Sequence, residues 1–127
     1  MLRYARSPKP EKSAKVYGRN LRISRKSSVI VCKALTGLSL EKGNKLLENL
    51  ITQKQSLDGK YYTNVSKQLS KLIAQAENNA EFKGLDTSRL IIHASAHKGF
   101  TFWRPRRFKL RRRKRKMTNI QIVLEQK

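Results

Sequence analysis

The sequence predicts an α+β fold, with about three helices packed on a small antiparallel sheet and a long projecting basic β-hairpin. Three observations carry that prediction. Apolar residues alternate at a period of two on both sides of one basic stretch: Leu90, Ile92 and Ala94 before it, Ile120, Ile122 and Leu124 after it. Alternation of this kind marks half-buried strands. Between them, His97 to Met117 reads HKGFTFWRPRRFKLRRRKRKM, with eleven Lys or Arg, no acid, and Phe100, Phe102, Trp103 and Phe108 interleaved. Upstream, Val65, Leu69, Leu72, Ile73, Ala76 and Ala80 recur at helical spacing along one face.

Length explains why the hairpin projects. Each arm of about ten residues spans about 30 Å, whereas a body of about 100 residues has a radius of gyration near 13 Å. Like charges about 7 Å apart repel by roughly 0.6 kcal/mol even in water. The free tip is therefore expected to be poorly ordered, and a polyanion to reverse the sign of that term.

Taken in order, residues 1–15 are charged, carry Pro8 and Pro10, and show neither period. They read as an extended arm whose basic residues are free to lie on an acidic surface. Val16 to Ile23 reads as a short strand weakened by Gly18 and Asn20, with Arg19, Arg22, Arg25 and Lys26 clustered about its end. Ser24 is placed to cap a helix through VIVCKAL with its side chain, and Gly37 to end it in a left-handed conformation. Ser39 offers a second cap, followed by the stripe Leu40, Leu46, Leu47, Leu50 and Ile51. Gly43 inside this helix costs about 1 kcal/mol relative to Ala, and close packing against a neighbour is the expected reason for it. Leu57 to Tyr62 turns on Asp58-Gly59. The longest helix starts near Thr63, with Ala74, Ala76 and Ala80 admitting close approach to the sheet and Gly84 ending it. Asp86-Thr87-Ser88 leads into the strand before the hairpin. The organisation is one domain: arm 1–15, body 16–98 with 117–125, and hairpin extension 99–116.

Thirty basic residues against eight acidic give a net charge of +22, which suits a chain neutralised by phosphate. A membrane-surface role is disfavoured because the charge run has no amphipathic helical face. No apolar stretch approaches the ~20 residues of a membrane span, and the N-terminal charges are not followed by the apolar run of a signal peptide. Cys32 is the single cysteine; within an apolar run it reads as a small core residue, consistent with a reducing cytosolic compartment.

Catalytic chemistry is not indicated. His93 and His97 sit four apart on a predicted strand, about 13 Å from one another, too far to share a metal, and no third ligand is in sight. They read as strand and RNA-edge histidines. The acids are scattered, and none is expected to pair with a nearby His or an activated Ser. The six glycines are isolated and form no phosphate loop. Neither an enzyme nor a metal or other cofactor is expected.

Among nucleic acids, RNA is favoured over DNA. None of the helices has the strongly basic outer face that a major-groove reader needs; the third carries only Lys67 and Lys71. A basic hairpin with interleaved aromatics suits backbone contacts and stacking on folded RNA, and Arg grips phosphate bidentately. The expected RNA-binding residues are Arg19, Arg22, Arg25, Lys26 and Lys98 on the body side. On the hairpin they are Trp103, Arg104, Arg106, Arg107, Lys109, Arg111, Arg112, Arg113, Lys114, Arg115 and Lys116. A free RNA chaperone or nucleic-acid-compacting protein is the alternative reading.

With these parts placed, the segments KSAKVYGRNLRISRKSSVIVCKALTG, LSLEKGNKLLENLI, AENNAEFKGLD, ASAHKGFTFWRPRR and NIQIVLE resemble large-subunit ribosomal protein family twenty-two in its archaeal or eukaryotic form. AENNAEFKGLD is the most specific of them. The resemblance implies a structural constituent of the large ribosomal subunit, in the cytoplasm, bound to ribosomal RNA near the polypeptide exit. It implies an α+β body on the outer surface and a hairpin that lines the nascent-peptide tunnel. Neighbouring ribosomal proteins and the nascent peptide are the implied partners, together with a role in subunit assembly; no membrane and no homo-oligomer are expected. By the same resemblance Arg22, Ser24, Arg25 and Lys26 fall on an RNA-contacting turn. Trp103 to Lys116 covers the hairpin tip, with Arg107, Phe108, Lys109, Leu110 and Arg111 facing the tunnel. Where the family usually has a Gly-Arg pair, this chain reads RRFKLRRR, so the tip is expected to turn without a glycine's positive φ.

Overall fold

A computed structural model describes residues 2–104 and 107–127. In chain order it contains β1 (Ser13–Leu21), α1 (Arg25–Leu35), α2 (Leu40–Ile51), α3 (Thr63–Phe82), β2 (Leu90–Trp103) and β3 (Lys114–Gln126). The strands form one antiparallel sheet in the order β1-β3-β2. The architecture is α+β, as the patterning predicts.

Period-two alternation builds the core directly. Pairing sets Ala14 and Ile92 on either side of Leu124, and Val16 and Ala94 on either side of Ile122. Ile120, Ile122, Leu124, Leu90 and Ile92 are all fully buried. They join Val31, Leu35, Leu47, Leu50, Leu69 and Ile73 from the helices in one cluster. Burying a side chain of this size contributes about 1.5–3 kcal/mol, so the central strand is the chief organiser of the body. In α3 every residue of the predicted apolar stripe is buried. Ala74 is exposed, against expectation, because it lies off that stripe.

Gly43 has the reason anticipated for it. A Cβ at that position would lie 2.3 Å from Ile92 Cδ1, so α2 seats this close to β2 without a side chain there, and adding one would force the end of Ile92 to move. Asp58 and Gly59, at φ +48° and +76°, make the expected turn, closed by hydrogen bonds between Leu57 and Lys60. The two serine caps are correct in position and wrong in chemistry. Ser24 and Ser39 precede α1 and α2, but neither side chain makes a cap bond. The Ser24 carbonyl instead accepts from both the N–H and the hydroxyl of Ser28.

Two further expectations need correction. β1 starts at Ser13 and stops at Leu21, earlier at both ends than the sequence suggests. The weak residues mark a bulge: Asn20 has φ +51° and the register shifts between Gly18 and Leu21. The N-terminal arm is not free either. Gln121 donates from Nε2 to the Arg3 carbonyl and accepts from the Ala5 N–H, at 2.7 and 2.9 Å. Arg6 lies 2.8 Å from the Glu125 carboxylate, so the arm is fastened to β3 by a side chain that the sequence offers no reason to single out.

Beyond the last β1 pair, Leu21 with Thr118, the sheet becomes a ribbon of β2 and β3 alone. The change is marked by a second register shift, between Lys98 and Thr101. Asn20 holds this level by accepting from the Phe100 N–H through Oδ1 and donating its own N–H to Asn119 Oδ1. Gly99 is required there, since a Cβ would sit 2.9 Å from the Met117 carbonyl oxygen. Pairing then runs to Trp103 with Lys114, about 13 Å past Thr118 at strand rise. At the tip, Phe108–Leu110 makes one short helical turn between Arg107 at φ +72° and Arg112 at φ +64°. The tip does turn through positive φ, on arginines, where left-handed backbone costs an L-residue about 1–2 kcal/mol.

Candidate nucleic-acid interface

The turn from β1 into α1 is fixed by the buried Thr118, whose hydroxyl donates to the Ile23 carbonyl at 2.8 Å. That bond brings the start of α1 against the root of the ribbon. The start of α3 joins them, and the three enclose a groove of about 1170 Å³. Eight of the predicted RNA-binding residues line it. Arg22, Arg25 and Lys26 come from the turn, Lys98 from the bulge, and Arg104, Lys114, Arg115 and Lys116 from the ribbon. No acid is among the lining residues. The floor carries Ile23, Tyr62, Val65, Phe102 and Met117.

The backbone reinforces this charge. A helix N-terminus carries about half a positive charge. Neither α1 nor α3 has an acid in its first turn or a side-chain cap, whereas α2, which does not line the groove, starts with Glu41. Among the described residues, the ion pairs are Arg6–Glu125, Arg89–Asp86 and His93–Glu125. None of them involves an expected RNA-binding residue.

The remaining predicted residues form a second group. Arg107, Lys109, Arg111, Arg112 and Arg113 are exposed around the tip, with Phe108 89% exposed among them and Leu110 half-buried. Trp103 stands between the groups, 55% exposed, with Lys114 Nζ 4.7 Å from its ring centroid. Arg19 is exposed in β1 and does not line the groove. Arg106 lies outside the described residues.

Sequence reasoning missed the contribution of α3. Tyr62, Thr63 and Asn64 line the groove, and no charge or motif marks them. The available signal was negative: helix starts reading RKSS and TNVS, without an acid. Phe102 stands in the sequence as one of the aromatics among the charges, and only the fold brings it to the groove.

Elsewhere, one expectation about the acids fails. Glu125 Oε2 lies 3.3 Å from His93 Nε2, across neighbouring strands that sequence distance conceals. Burial and the nearby Arg6 guanidinium hold the imidazole below its ordinary value, with Glu125 opposing them. Burial pushes the Cys32 thiol up to about 12, so it stays protonated and inert. The described residues hold no group of three metal-ligating side chains. What this geometry can do is bind an anionic chain along a continuous cationic path, from the body to the tip.

The match with known proteins decides the family. The model of the ribosomal protein L22p/L17e family matches residues 16–125, from within β1 to the end of β3. This chain belongs to that family. Its members are structural components of the ribosome and not enzymes. The large ribosomal subunit protein uL22 of Methanocaldococcus jannaschii is 34% identical, over 98% of this chain and 95% of its own length. The protein of the same name from Archaeoglobus fulgidus is 32% identical over 98% and 96%. That of Thermofilum pendens reaches 35% over 76% of each. The family match spans both the groove and the basic tip.

Proposed function

We propose that this chain acts in the large ribosomal subunit by binding ribosomal RNA, with its helical body anchored near the polypeptide exit and its hairpin lining the nascent-peptide tunnel. The observation that carries the reading is the unbroken cationic path. Eight cations line the groove with no acid beside them, and every charged residue onward through the tip is basic. Phosphates neutralise this path, and the arginine fork adds bidentate contacts. Such contacts fix position without reading sequence, so the RNA's own fold specifies the site. At the tip, Arg107, Phe108, Lys109, Leu110 and Arg111 face the tunnel, where they meet the nascent peptide. The body, residues 16–98 with 117–125, serves as the base; neighbouring ribosomal proteins complete the surroundings. No catalytic step is required of any residue.

Sedimentation tests this directly. The chain should remain stoichiometric with large subunits on a high-salt sucrose gradient. For a ribosomal RNA fragment, neutralising about eight phosphates gives a slope of log affinity against log salt near −6 to −7. Loss from the subunits in high salt, or a slope near −2, would overturn the reading and favour a free RNA chaperone.

A further inference from the structure

We infer that the groove at the ribbon's root is a distinct binding site for an unpaired RNA strand, with a base stacked on Phe102. The inference rests on the proposed RNA-binding role and deepens it, by naming which form of RNA this part of the surface takes.

The composition of the groove separates the candidates. A duplex presents phosphates and 2′-hydroxyls to a protein while keeping its base faces inside the stack. Such a ligand uses cations but draws nothing from an aromatic floor. An unpaired strand offers both charge and exposed base faces. This groove supplies both complements: cations along the turn and the ribbon, and Phe102 with Tyr62 between them. Phe102 is 38% exposed, and Phe100 lies near-parallel to it, with centroids 6.2 Å apart and planes at 23°. The two rings form a near-parallel aromatic patch, and the exposed part of Phe102 is available to a base. Tyr62 is partly buried against the core and serves as wall more than platform. The position of the groove is set from below, because Thr118 and Asn20 tie the ribbon's root to the body through bonds to Ile23 and Phe100.

The consequence is a division within the basic surface. The tip, with five cations around the exposed Phe108, binds mainly through charge, while the groove adds a term that depends on strandedness and survives salt.

The test uses the full-length chain and two labelled RNAs of one sequence, a single strand and its duplex, titrated by fluorescence anisotropy over a range of salt. The single strand should bind more tightly, and increasingly so at high salt, where phosphate contributions fade. Phe102→Ala should weaken single-strand binding about tenfold without changing the salt slope, and should leave duplex affinity unchanged. Arg25→Gln combined with Lys26→Gln should weaken both RNAs and reduce the slope by about one to two. Unchanged helical circular dichroism in each variant establishes that the body is intact. A photocrosslinker at position 102 in assembled large subunits should capture a nucleotide. Duplex preference, equal binding by Phe102→Ala, or capture of a protein from position 102 would overturn the inference. Should the chain itself fail to cosediment with large subunits, the parent reading falls. Cosedimentation with Phe102→Ala indistinguishable from the parent chain on both RNAs sinks the groove alone.

Discussion

β2 and β3 are each one strand with two lives. From Leu90 to Lys98, and from Thr118 to Gln126, they pair under a layer of helices, and Leu90, Ile92, Ile120, Ile122 and Leu124 are wholly buried. From Thr101 to Trp103, and from Lys114 to Lys116, the same two strands continue the ladder with no buried residue. Both halves are paired antiparallel, so pairing does not explain the difference. What differs is apolar area removed from water, and an isolated two-stranded ribbon is marginal without it. The ribbon's like charges subtract further. The ribbon is therefore expected to gain stability when an anion neutralises it.

That contrast can be broken most severely by removing the ribbon's outer part. Replacing residues 103–116 with a short turn should leave the helical circular dichroism of the body intact while lowering affinity for ribosomal RNA by at least about 100-fold at physiological salt. Loss of helical signal would place the hairpin in the core. Next in size is the reverse change. Ile92→Ala in the body should cost about 2–5 kcal/mol in denaturant unfolding, whereas Trp103→Ala in the ribbon should cost under about 0.5 kcal/mol. Comparable losses at the two sites would deny that burial distinguishes the halves.

A smaller effect is expected at the tip. Arg107→Gly and Arg112→Gly relax positive φ at the cost of chain entropy, for a net gain of about 0.5–1 kcal/mol in local ribbon stability. Amide exchange should slow in the ribbon and stay unchanged in the body. Smallest is a titration on the body side of the sheet. His93 should titrate below 6.5 by NMR, and Arg6→Ala should move its midpoint upward. Stability owed to this group is complete above 6.5 and declines as pH falls from there to the folded midpoint, because the unfolded chain takes up the proton first.

How much of this was legible in the sequence follows the same contrast. The body was readable because its information is periodic: Val65 to Ala80 declares a helix face, Leu90 and Ile122 declare strands, and each apolar position finds the core. Gly43 could be assigned to close packing since few other causes place glycine inside a helix. The arm's attachment was not readable, because it depends on Gln121, one polar residue, meeting backbone far away in sequence. Ser24 and Ser39 illustrate a similar limit: the cap position is set by where the helix starts, the cap bond by a rotamer. The groove was half visible. Its cations stood out as charge, but Tyr62, Thr63 and Asn64 reach it only through the packing of α3. The tip misled because glycine is the usual carrier of positive φ, whereas here Arg107 and Arg112 bear the strain.

Amide hydrogen exchange on the purified full-length chain, with and without a large-subunit ribosomal RNA fragment, tests the central claim most directly. The account predicts that body amides such as those of Ile120, Ile122 and Leu124 are protected in both states. Those of Phe102, Trp103, Arg115 and Lys116 should exchange rapidly in the free chain and become protected once RNA is added. Ribbon amides already protected in the free chain, and unaltered by RNA, would contradict it.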